Sequence, residues 1–273
     1  MTEKRLLFVL KAVRIIHEVK LMLTEQRYQI ILHRLTQQPI CKINELVHLT
    51  DASESTIRRD LDELEKQGLL ERIHGGARLL VHLTADRNQT EREQLHRSDK
   101  EQVAAYVAQH YLHNQQFLYL DAGTTVQEII PYLKDFHDIT VVTNSIVTAG
   151  AVAETGIATY LTGGKLKANT QALVGMTSVQ TLSKYHFDLA LLGVNAITPG
   201  GDLLTPDVDE ADVKQQAQRQ AKSAIVLTDA SKFSEIAFAT FGNLHDFTAV
   251  VTTALPANLR EQYHQKNIKE LSK

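Results

Sequence analysis

Ser53-Glu54-Ser55-Thr56-Ile57-Arg58-Arg59-Asp60-Leu61 is the stretch on which the reading of this chain turns. Ile57, Leu61 and Leu64 recur at helical spacing and face a core. Ser55, Arg58, Arg59 and Asp62 then point the other way, with short hydroxyls and two guanidinium groups at the front of the helix. A helix laid in a DNA major groove meets base edges and phosphates with that end. Upstream, Ile30, Ile31 and Leu35 space a first helix that Pro39 ends. Ile43, Leu46 and Val47 make a short second helix, Thr50-Asp51-Ala52-Ser53 is the turn, and Ser53 caps the third helix. Gly68 stops that helix, and Leu69 to Ile73 followed by His74-Gly75-Gly76-Ala77 reads as a hairpin. Three helices and a hairpin predict a winged helix-turn-helix over residues 22–82, an α+β unit.

A chain of 273 residues holds that unit and a larger one, each with its own core. The single cysteine, Cys41, precludes an internal disulfide framework and fits a reducing cytoplasm. No apolar run reaches the length of a membrane span, so a cytoplasmic location without a membrane partner is expected. The net charge of −3 does not advertise nucleic-acid binding. Within 22–82, eight Lys and Arg stand against nine Asp and Glu, so affinity for DNA must come from local placement of charge. Residues 1–21 carry Leu6-Leu7-Phe8-Val9-Leu10 between basic residues, but the apolar core is short for a signal peptide and no small-residue cleavage site follows. An appended helix or a start at Met22, with Thr24 capping the first helix, is the expectation for that segment.

Residues 83–97 are polar and read as a linker. From Ser98 to the end, short apolar runs alternate with helical patterns: Phe117–Leu120, Thr140–Val142, Thr159–Leu161, Leu189–Leu192, Ile225–Leu227 and Ala249–Val251. Such strands separated by helices predict an α/β unit with a mostly parallel sheet covered on both faces. Ligands of open α/β sheets gather beyond the carboxyl ends of the strands. Those ends carry Asp121-Ala122-Gly123-Thr124-Thr125, Thr143-Asn144-Ser145, Thr162-Gly163-Gly164-Lys165, Gly193-Val194-Asn195 and Asp229-Ala230-Ser231-Lys232. Gly123 with two threonines at a helix start offers N–H groups, hydroxyls and a dipole suited to a phosphate. Capping of any strand-to-helix turn favours the same residues. Glu210 and Lys214, four apart, share a helix face either as a surface ion pair or as contacts to an anionic, hydroxylated ligand. The histidines form no metal-ligand pattern, Cys41 has no evident base, and neither a Walker loop nor a Gly-x-Gly-x-x-Gly fingerprint is present. No cofactor is expected.

These residues resemble the DeoR family of bacterial transcriptional regulators over nearly everything after Met22. Arg27, Ile31 and Leu35, then Ser53, Thr56, Ile57, Arg58, Arg59, Asp60 and Leu61, fit the family's helix-turn-helix, and Gly68 with His74-Gly75-Gly76-Ala77 matches its wing. Asp121 through Thr125, Thr143 through Ser145, Gly163-Gly164, Val174-Gly175, Glu210 with Lys214, and Asp229 through Phe233 match its sensor domain. The resemblance implies a sensor fold similar to ribose phosphate isomerase and an effector that is a phosphorylated sugar. It implies operator DNA as partner, contacted by Ser53, Ser55, Thr56, Arg58, Arg59, Arg72, His74 and Arg78. It also implies an effector crevice formed by Asp121, Gly123, Thr124, Thr125, Thr143, Asn144, Ser145, Gly164, Lys165, Gly193, Glu210, Lys214 and Lys232. Asn195-Ala196 and Ala52 depart from the family pattern. The expected activity is repression of a sugar-utilisation operon by a homodimer or homotetramer; activation is the same chemistry with the operator elsewhere. An enzyme acting on sugar phosphates, with Asp207, Asp209 or Glu210 as general base, is the competing class. An attached winged helix has no use in isomerisation, and shared fold is not shared function.

Overall fold

The structure is a computed structural model that describes residues 24–38, 40–66, 69–79, 88–263 and 267–272. It divides into two compact units, Met1–Val81 and His82–Lys273. The expectations for residues 1–21, Pro39 and Gly68 lie outside the described residues.

In the first unit, helices Thr24–Gln37, Ile43–Thr50 and Glu54–Lys66 surround a core of Ile31, Leu35, Leu46, Ile57, Leu61 and Leu64, all buried. Ser53 caps the third helix as expected, its Oγ accepting from the Thr56 amide at 3.2 Å. Thr24 is the first residue of the described helix and not a cap outside it. The wing strands β2 (Leu70–Ile73) and β3 (Gly76–Leu79) pair antiparallel, and β1 (Ile40–Lys42) adds to β3 as a third strand. That strand puts Cys41 into the core opposite Ala77. Gly76 permits the approach, because a Cβ there would run into the Cys41 carbonyl oxygen. The inner face of the third helix also holds one charge, Asp60. Arg27 of the first helix meets it as a fork, with Nε–Oδ2 2.7 Å and Nη2–Oδ1 3.0 Å. Two planar groups in register satisfy each other where water does not reach.

In the second unit, β4 (Phe117–Leu120), β5 (Thr140–Thr143) and β6 (Ala158–Leu161) are followed by a hairpin of β7 (Lys165–Lys167) and β8 (Ala172–Val174). β9 (Phe187–Gly193), β10 (Ala196–Ile197), β11 (Asp202–Thr205), β12 (Ala221–Leu227), β13 (Ala239–Asn243), β14 (Ala249–Thr253) and β15 (Ile268–Leu271) complete the set. Seven strands form one sheet in the order β15-β14-β12-β9-β4-β5-β6, with every pairing parallel. The antiparallel strands are segregated into the β7-β8 hairpin and a small β10-β11-β13 sheet. Alternation within the apolar runs sends Leu118, Leu120, Leu191 and Ile225 into the core under the Arg97–Tyr111 helix. Tyr119, Leu192 and Val226 enter the opposite core, with Val213 and Phe241.

The stretch 83–97 needs correction as a linker. Asn88 caps a helix, Gln89–Gln94, through the Glu91 amide, and the helix Arg97–Tyr111 begins before the expected boundary. Gln89 is buried: its amide donates to Asn169 O at 2.8 Å and its Nε2 to Gln127 Oε1 at 2.9 Å. The segment is polar because it docks by hydrogen bonds, with little apolar surface to betray it. Among the described residues no helix is long and apolar enough to cross a membrane.

Candidate functional site

The outer face of the Glu54–Lys66 helix and the wing carry the predicted DNA contacts. Ser53 and Ser55 are exposed, Thr56 is half-buried, and their hydroxyls form a cluster, Ser53 Oγ lying 2.9 Å from Ser55 Oγ and 2.8 Å from Thr56 Oγ1. The arginines are not equivalent. Arg58 is held by Glu54 one turn earlier, with Nη2–Oε1 2.6 Å. Arg72 binds Asp62, and Arg78 binds Glu71 across the wing. Arg59 is exposed and has no ion pair or side-chain hydrogen bond among the described residues. Its donor fork is therefore uncommitted, whereas the other three each already hold a carboxylate. His74 is exposed at the wing turn. These carboxylates pair with most of the arginines predicted to meet DNA, in a stretch (22–82) that has no net positive charge.

The second site is a pocket beyond the carboxyl ends of β4, β5 and β9. It is lined by Asp121, Gly123, Asn144, Glu210 and Lys214, all predicted, and by Arg92, Ala122, Thr170, Ala172 and Asn195. Lys214 Nζ donates to Asp121 Oδ2 at 2.5 Å and to Gly193 O at 3.0 Å, and lies 5.5 Å from the Phe241 ring centre. The Gly193 amide donates to the same Asp121 oxygen at 3.0 Å. Asp121, Gly193 and Lys214 thereby lock the ends of two strands to the Val208–Arg219 helix. Glu210 accepts from Thr170 Oγ1 at 2.9 Å and Thr205 Oγ1 at 3.0 Å, and Lys167 Nζ stands 3.2 Å away. Burial pushes the Glu210 carboxyl up, but Lys167, Lys214 and the Thr170 hydroxyl outweigh it and hold it below its ordinary value. Burial, with the nearby Asp121 and Glu210 charges, keeps the Tyr119 hydroxyl protonated, and it donates to Asn144 Oδ1 at 3.0 Å.

Glu210 and Lys214 share a helix face, but both are buried and each pairs elsewhere, which sets aside the surface ion pair. Thr124 and Thr125 start the helix Thr124–Gln127 beside the pocket; Thr124 is buried. Several predicted residues do not line it, and their local roles explain their sequence signals. Thr143 Oγ1 accepts from the Ser145 amide, and Ser145 Oγ caps the next helix through the Thr148 amide. Gly164 has φ +115°, and a Cβ there would meet Val174 O at 2.7 Å, so its place is steric. Lys165 is exposed at the start of β7, and Lys232 closes a short helical turn capped by Asp229. The Asp207 side chain is likewise a cap, accepting from the Glu210 amide. Asn195 was visible as a departure at a strand end, and Asn88 followed by Glu91 is a capping pattern that could have revealed the helix bearing Arg92. Thr170 has no such signal.

A DeoR-like helix-turn-helix model matches residues 27–82, and the DeoR C terminal sensor domain model matches 95–254. The chain is 39% identical over 252 residues to the uncharacterized HTH-type transcriptional regulator FruR of Bacillus subtilis, covering 92% of this chain and 100% of that protein. It is 30% identical over 232 residues to the glycerol-3-phosphate regulon repressor of Escherichia coli K12, covering 85% of this chain and 91% of that one. Among solved structures, ribose 5-phosphate isomerase from Plasmodium falciparum aligns with TM-score 0.37 and 16% identity over 50% of this chain and 52% of its own. A likeness that weak carries no argument about activity. The matched domains and full-length relatives are those of regulators, not of enzymes: the chain belongs to the DeoR family of transcriptional regulators.

Proposed function

We propose that the protein represses a sugar-utilisation operon and leaves its operator when a phosphorylated sugar enters the pocket. One observation carries the reading. A helix-turn-helix unit, whose third helix carries Arg59 without an ion pair or side-chain hydrogen bond among the described residues, shares one chain with a parallel-sheet unit whose strand ends enclose a polar pocket. The Gly123-Thr124-Thr125 turn supplies amides and hydroxyls for a phosphate, and Asn144 and Asn195 supply amide groups for sugar hydroxyls. The glycerol-3-phosphate regulon repressor, by its name, regulates genes for a phosphorylated compound, which favours the same ligand class here. The ligand is allosteric and no cofactor takes part. The protein acts in the cytoplasm as a homodimer or homotetramer, since one small winged unit without net positive charge binds weakly alone.

The test is a thermal-shift screen of the full chain against hexose, pentose and glycerol phosphates and their unphosphorylated counterparts, followed by gel shifts on the intergenic DNA beside its gene. A phosphorylated compound raises the melting temperature and releases the DNA, and its free sugar does neither. Equal responses to the free sugar, or none to any phosphorylated compound, contradict the proposal.

A further inference from the structure

Arg92 lines the pocket from a segment that the sequence presents as a linker. The lysine and threonine side chains around it are already committed. Lys214 serves Asp121 and Gly193, Lys167 stands between Glu210 and Asp207, and Thr170 serves Glu210. The Arg92 guanidinium, half-buried, has no ion pair or hydrogen bond of its own among the described residues, although its field reaches Glu210. Five N–H donors in a planar fork, at the wall of a polar pocket, match an anion with two or more oxygens in a plane or a tetrahedron.

The placement of this arginine is built, not incidental. The helix Gln89–Gln94 is fastened at three points. Asn88 Oδ1 caps its start, the Gln89 amide is bonded to Asn169 O beside the pocket residue Thr170, and Gln89 Nε2 is bonded to Gln127 on the helix that begins at Thr124. From the following helix, Lys100 donates its Nζ to the Arg92 carbonyl. Two of these attachments lead straight to segments that form the pocket. The same helix is the first described element after the wing strand β3, with nine residues (80–88) between them.

We infer that Arg92 is the pocket's contact for the anionic group of the ligand. The inference rests on the proposal that the pocket binds a phosphorylated sugar, and it adds which side chain recognises the phosphate. A ligand shifts an equilibrium only through contacts that differ between states. Operator release, read beside ligand affinity, tests whether the Arg92 contact differs between those states.

The experiment compares the full-length wild type with Arg92→Gln, Arg92→Lys and Arg97→Gln. The last removes an exposed charge paired with Glu101 outside the pocket. Each is titrated with the phosphorylated sugar that shifts the wild type most and with inorganic phosphate, and operator release is read in parallel. The expected result is a loss of about tenfold or more in ligand affinity for Arg92→Gln. Arg92→Lys restores part of it as a point charge, and Arg97→Gln behaves as wild type. Arg92→Gln also keeps its operator at ligand concentrations that release the wild type. If the wild type responds and Arg92→Gln responds equally, the inference is overturned while the pocket assignment stands. If no phosphorylated compound shifts the wild type, the pocket assignment falls and the inference with it.

Discussion

At the residue scale, the arrangement of partners ranks side chains that composition leaves equal. Arg58 and Arg59 are neighbours on one helix, yet Glu54 holds the first and nothing described holds the second. Arg59→Ala is expected to weaken operator binding about tenfold or more and to lower the salt dependence by roughly one phosphate contact. Arg58→Ala costs less, because part of its interaction in the complex replaces an exposed pair worth about 0.3–0.5 kcal/mol. Binding isotherms at several salt concentrations separate the two, and equal losses would contradict the ranking. Asp60 belongs to stability instead. Asp60→Asn breaks the buried Arg27–Asp60 ion pair, at about 3–5 kcal/mol, measurable by denaturant unfolding. Lys100 gives a pH signature. Burial lowers its pKa from 10.5 to about 8, against the pull of Asp229. Between those values the unfolded chain binds a proton that the folded chain does not, so folding becomes more favourable as pH rises from about 8 towards 10.5. The stability of wild type relative to Lys100→Met is therefore expected to climb over that window; a flat or falling difference contradicts the shift.

At the scale of elements, the legible parts were those with a repeating signal. Ile57, Leu61 and Leu64 fix one helix face, and the apolar runs at β4, β5, β9, β12 and β14 fix a parallel sheet. β1 was not legible, because three residues carry too little alternation to distinguish a strand from a turn. β15, Ile-Lys-Glu-Leu, lies at the sheet edge and lacks the apolar run of its neighbours. In the pocket, Asp121, Gly123, Asn144, Glu210 and Lys214 were legible because they sit at strand ends or at helical spacing. Thr143, Ser145 and Gly164 carry the same residue types for capping and steric reasons, so type and position alone admit both roles. Gly76 makes the missed strand testable. Gly76→Ala pushes a methyl group into the Cys41 carbonyl, and a loss of about 1–3 kcal/mol is expected. Unchanged unfolding would mean that β1 does not pack against the wing as described.

At the scale of the molecule, two folded units share one chain, and the helix Gln89–Gln94 brings Arg92 to the pocket of the second. Coupling between operator and ligand is reciprocal: whatever factor the ligand takes from operator affinity, the operator takes from ligand affinity. The most direct measurement is therefore the affinity of the full chain for a labelled operator duplex, by fluorescence anisotropy, across a titration with the phosphorylated sugar that stabilises it most. Operator affinity is expected to fall to a lower plateau, with the free sugar inert and ligand affinity reduced by the same factor when operator is present. An operator affinity unchanged at saturating ligand would contradict the account.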